Sequence, residues 1–170
     1  MNLGGGLNRP RASETDPPAF LNWTTPPLPH DLDLIGPIEL QLDAACTAPD
    51  TAFIAVLQDV DENESTINVT ASYLRASMRG VDDAVSKRGA PFLPCRTFEA
   101  VPIGEKVSYR IPLVPNARRF RAGHKLRLSV TTDDQNADRP ALLEFRHASI
   151  GTSSLNTVFS SSRLLLPVLR

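Results

Sequence analysis

Ile38-Glu39-Leu40-Gln41-Leu42-Asp43 alternates apolar and polar residues, the pattern of a strand with one wet face. Ile38, Leu40 and Leu42 are expected to point at a core, and Glu39, Gln41 and Asp43 at solvent. The next apolar stretch, Phe53-Ile54-Ala55-Val56-Leu57, is too short for most helices. It runs into Asp59-Val60-Asp61-Glu62-Asn63-Glu64, so it reads as a buried strand and a polar turn, with a returning strand from Thr66 to Leu74 completing a β-hairpin.

Working outward, Gly36-Pro37 is expected to turn the chain into the alternating strand. Phe20-Leu21-Asn22-Trp23-Thr24-Thr25 is β-prone and bounded by Pro17-Pro18 and Pro26-Pro27, which makes it a first strand. Further strands are expected over Val107 to Leu113, Lys125 to Thr131, Leu142 to Ile150, Asn156 to Phe159 and Leu164 to Leu169. Residues 79–95 carry Gly80, Gly89, Pro91 and Pro94 without periodicity and read as a long surface loop. Gly4-Gly5-Gly6 and the early prolines make residues 1–19 an extended arm, leaving 20–170 as one β domain. Many short strands and no amphipathic helix predict an all-β jelly-roll sandwich with little helix.

Composition narrows the function. The chain has 170 residues, 41% apolar and 22% charged, which suits one globular domain. A net charge of −1 gives no general pull toward nucleic acid or anionic lipid, so neither is expected as a partner. The longest apolar run is five residues, so no membrane span is expected, nor is a signal peptide after Met1; cytoplasmic location follows if Met1 is the natural start. Cys46 and Cys95 allow at most one bridge and have no ligand spacing, and His30, His124 and His147 have no metal-site spacing, so no metal or cofactor is expected. G-x-S-x-G is absent, and Gly151-Thr152-Ser153-Ser154-Leu155 lacks the second glycine of a nucleophile elbow. Asp59-Val60-Asp61-Glu62-Asn63 begins like a calcium loop but has Glu64 where Gly is needed, so a hairpin turn is the better assignment. Asp133-Asp134-Gln135-Asn136 reads as turn caps, with calcium binding as the lesser alternative, and Arg118, Arg119, Arg121, Lys125 and Arg127 as a solvated face or a domain contact. The Asn22, Asn63 and Asn68 sequons are treated as chance matches.

Trp23-Thr24-Thr25-Pro26-Pro27-Leu28, Asp31 to Ile38 and Ala48-Pro49-Asp50-Thr51-Ala52-Phe53 carry a resemblance, continued by Leu57-Gln58-Asp59-Val60 and Tyr73-Leu74-Arg75-Ala76-Ser77. Phe120 to Leu128 and Ser162 to Val168 complete it in order. The set resembles the C-terminal non-catalytic domain of X-prolyl dipeptidyl-peptidase, cocaine esterase and glutaryl acylase type hydrolases. The resemblance implies a jelly-roll sandwich of the galactose-binding-domain-like kind. It also implies that the Ser-Asp-His triad belongs to an α/β-hydrolase domain outside this sequence, so no catalytic residue carries over. The expected role is an accessory domain, not an enzyme by itself, that packs on the hydrolase domain and helps wall its cleft. Candidate contacts are Phe20, Trp23, Phe92 and Leu93. The alternative is a free-standing jelly-roll module that binds a glycan or another ligand. Asp82 to Arg88 has no clear counterpart in the family pattern.

Overall fold

A computed structural model describes residues 6–8, 20–132 and 154–169. Nine strands lie among them: β1 Gly6–Asn8, β2 Leu21–Thr24, β3 Leu32–Cys46, β4 Ala52–Val60, β5 Thr66–Arg75, β6 Val107–Phe120, β7 Lys125–Thr131, β8 Asn156–Val158 and β9 Arg163–Leu165. The only helical element among the described residues is the 3-10 turn Ala76–Met78. The fold is a β-sandwich of two antiparallel sheets. One has the order β1-β8-β3-β6, with β9 also on β3, and the other the order β2-β7-β4-β5. The expected strand over Leu142 to Ile150 and the Asp133–Asn136 turn lie outside the described residues, as does His147.

The alternation holds on the inner face of β3. Leu34, Ile38, Leu40, Leu42, Ala44 and Cys46 join one buried cluster with Phe53, Ala55 and Leu57 of β4, Ile111 and Leu113 of β6, and Leu126 and Leu128 of β7. The hairpin is β4–β5, paired from Ala52 opposite Arg75 to Val60 opposite Thr66. β4 is central in its sheet and buried on both faces, which is why its sequence is an apolar run rather than an alternation.

Three expectations need correction. Gly36-Pro37 is not a turn into β3 but a bulge within it: Gly36 has φ +126° and the β3–β6 register shifts between Gly36 and Ile38. β6 runs on past Leu113 to Phe120 despite Pro112 and Pro115, because it is an edge strand and can lack the N–H groups on its open side. Glu39, expected in solvent, is fully buried. The β5–β6 connection covers it.

Candidate functional site

The β5–β6 connection spans residues 76–106 and is the longest departure from strand structure among the described residues. It is fastened by polar side-chain anchors together with main-chain hydrogen bonds, among them a single bridge from Ile103 to Cys46 of β3. At its start, Asp50 accepts hydrogen bonds from the amides of Thr51 (3.0 Å) and Ser77 (2.9 Å), the Ser77 hydroxyl (2.8 Å) and Arg75 Nε (2.6 Å). Burial opposes ionisation of Asp50, but those donors outweigh it and hold the carboxyl below its ordinary range. Beside it, Arg79 donates through Nη1 to the Glu99 carbonyl at 2.7 Å and pairs with the Glu99 carboxylate at 3.1 Å, which ties the two limbs of the connection together. Val101 and Gly104 amides donate to the Pro49 and Cys46 carbonyls, so the returning limb lies along the end of the sandwich. Between the limbs is a cleft of about 410 Å³ whose lining includes Met78, Val81, Asp83, Cys95, Arg96 and Glu99.

The basic cluster is dispersed by the fold. Leu34 and Phe120, the neighbours of Arg118 on β3 and β6, face the core, and Arg118 reaches across the sandwich to the buried Asp59 of β4 at 2.7 Å. His124 Nδ1 lies 2.8 Å from the other Asp59 oxygen. Arg119 pairs with Asp33 through two 2.7 Å hydrogen bonds on the outer surface. Lys125 and Arg127 both face Glu64. Arg118, expected on a solvated face or at a domain contact, is instead turned inward onto the buried Asp59 while staying partly exposed.

The hairpin turn begins at Asp61, whose Oδ1 accepts from the amides of Asn63 and Ser65, each at 2.8 Å, while Asp59 and Val60, expected in the turn, end strand β4. Among the described residues no group of three or more His, Cys, Asp or Glu could hold a metal ion. Cys46 and Cys95 are both free thiols, one buried and one exposed. Tyr109 is buried against Phe53, its hydroxyl without a partner among the described residues, and burial pushes its pKa up to about 12.

The candidate contact residues fall into two groups. Phe20, 43% exposed, and Trp23, half-buried against the core, belong to the edge strand β2 and its approach. Phe92, 52% exposed, and Leu93, half-buried against the core, belong to the β5–β6 connection. Val85, Phe98 and Ile103 also stand exposed on that connection. Sequence reasoning found the loop but not its anchors. Glu39, Asp50 and Arg79 act mainly through partners 20 to 71 residues away, and no local pattern marks them.

Comparison with known proteins agrees with this architecture. Residues 12–142 match the model of the X-Pro dipeptidyl-peptidase C-terminal non-catalytic domain. Two curated proteins named "Putative serine esterase", from Mycobacterium bovis and Mycobacterium tuberculosis, are each 29% identical over 143 residues, covering 79% of this chain and 22% of theirs. This chain thus spans about a fifth of their length. Among solved structures, a CocE/NonD family hydrolase from Staphylococcus aureus superposes with a TM-score of 0.82 at 16% identity, over 99% of this chain and 34% of that one. An alpha-amino acid ester hydrolase superposes with a TM-score of 0.70 at 18% identity, over 95% of this chain and 27% of that one. At these identities the superpositions speak to the fold, while the family match covers well over half of the chain. The chain belongs to the family of X-Pro dipeptidyl-peptidase C-terminal non-catalytic domains.

Proposed function

We propose that this chain is the accessory domain of an α/β-hydrolase, packing on the catalytic domain and helping to wall its cleft, and that it turns over no substrate by itself. The observation that carries this reading is the family match over residues 12–142. The small share of the relatives' length that the chain spans supports it, since the remainder of those proteins is available as the partner. A domain contact of this kind buries on the order of 600–1,500 Å². Phe20, Trp23, Phe92 and Leu93 are the proposed contact residues: Phe20 and Phe92 are exposed, and Trp23 and Leu93 are half-buried at the margin of the core. The family match favours this reading over a free-standing glycan-binding module.

Purified recombinant chain incubated with a p-nitrophenyl ester tests the non-catalytic part. Release of nitrophenol should equal that of a heat-treated control. Turnover above that control, abolished by a serine-directed fluorophosphonate, would overturn it.

A further inference from the structure

The segment from Asp82 to Phe92 is closed on itself. The Asp82 amide donates to the Phe92 carbonyl at 3.0 Å, so its ends meet as in an Ω-loop. Ser86 bridges the interior: its hydroxyl donates to the Asp82 carbonyl at 2.7 Å and accepts from the Phe92 amide at 2.9 Å. At the tip, Lys87 and Ala90 exchange both backbone hydrogen bonds around Arg88-Gly89, a two-residue turn that Gly89 enters with φ +77°. This turn presents Lys87 and Arg88 outward and Gly89 inward, where it is buried.

The inward side meets one charged group. The Gly89 amide donates to Glu39 Oε2 at 3.0 Å. Glu39 has no solvent exposure, and its remaining donors are Arg110 Nε at 2.7 Å, Arg110 Nη2 at 3.3 Å and Gln41 Nε2 at 3.3 Å. Arg110 also faces Asp83 of the loop at 3.6 Å. The carboxylate thus lies under the loop on the outer face of its sheet, where a glutamate would otherwise sit in water. A hydrogen bond to a charged acceptor is stronger than the neutral bonds that close the loop.

We infer that residues 82–92 form a latched loop: a self-closed unit docked on the sandwich through the buried Glu39 carboxylate, which detaches as a unit when that carboxylate is removed while both sheets stay folded. The latch orders the loop in the free protein and so holds Lys87, Arg88, Val85 and Phe92 in fixed positions. Asp82 and Asp83 belong to the cleft lining, so detachment also opens one wall of the cleft.

The experiment compares wild-type chain with Glu39→Ala, Glu39→Gln and Arg110→Gln by limited trypsin digestion and hydrogen exchange. Cleavage after Lys87 and Arg88 is quantified by mass spectrometry, together with exchange in the 82–92 peptides. Far-ultraviolet circular dichroism monitors the sheets. When opening is fast, cleavage tracks the open population, so loss of the latch should speed cutting at Lys87 and Arg88 about tenfold or more. Glu39→Gln, which keeps an acceptor for Gly89, should lie between wild type and Glu39→Ala. Should Glu39→Ala lose its sheet spectrum, Glu39→Gln decides, with accelerated loop cleavage in a folded protein as the supporting result and unchanged cleavage as the overturning one. Unchanged cleavage and exchange in folded variants, or rapid cutting of wild type at Lys87 and Arg88, would overturn the latch.

Discussion

Replacing Asp50 by Ala should be among the most damaging single polar substitutions in the domain. The carboxylate collects the Thr51 and Ser77 amides, the Ser77 hydroxyl and Arg75 Nε. Ser77 is fully buried, so its amide and hydroxyl would both lose their acceptor away from water. Each such buried group left unsatisfied costs about 1–3 kcal/mol, and breaking a buried charged pair costs about 3–5 kcal/mol in all. Since the losses share one site and do not add fully, about 4 kcal/mol is expected. At about 2–4 °C per kcal/mol for a chain of this size, Tm should fall by about 8–16 °C. Arg75 is 49% exposed and can return to water, so Arg75→Ala should cost no more than about 1 kcal/mol. Scanning calorimetry and urea unfolding at neutral pH would measure both variants. A loss below about 1 kcal/mol for Asp50→Ala, or equal losses for the two, would refute the claim that this carboxylate anchors the start of the long connection.

Further outcomes follow from the same structure. Gly36→Ala places a side chain at φ +126° beside Pro167 and should cost about 1–3 kcal/mol in urea unfolding; a neutral result would mean that the bulge is not strained. Asp59→Ala removes the buried carboxylate that Arg118 and His124 share and should destabilise by about 3–5 kcal/mol, whereas Phe20→Ser and Phe92→Ser, at exposed positions, should stay within about 0.5 kcal/mol. Acid should weaken the fold through Asp50 and Asp43, the latter held low by the Ser108 and Ser161 hydroxyls. Because both have folded pKa values below their unfolded ones, their contribution is complete above about pH 5 and is lost as pH falls through the folded values. Thermal melts across that window would check it, and a Tm that is flat down to about pH 3 would contradict it.

The parts of the fold visible in the sequence are those governed by neighbours along the chain. Ile38, Leu40 and Leu42 announce their face through local alternation, and the polar Asp59–Glu64 segment between two β-prone runs announces the hairpin. The parts that stayed hidden depend on distant pairings. Pro115 and the arginines that follow look like the end of a strand, yet β6 continues because its outer edge needs no donors and because Arg118 finds Asp59 across the core. Glu39 has the local pattern of a solvent-facing residue, and only the folding of residue 89 back over residue 39 buries it. Phe20, Trp23, Phe92 and Leu93 could be singled out as candidate contacts, but their separation onto β2 and the β5–β6 connection follows from sheet order, which no local pattern specifies.

The most direct test of the accessory-domain account is made on the native protein in its source cells. An antibody raised against this domain, used in an immunoblot of cells labelled with a fluorophosphonate probe for active serines, reads size and hydrolase identity together. The account predicts that the recognised band either lies several tens of kilodaltons above 18.5 kDa and carries the probe, or co-purifies with a separate labelled hydrolase. An unlabelled 18.5 kDa protein that co-purifies with no labelled hydrolase would contradict it.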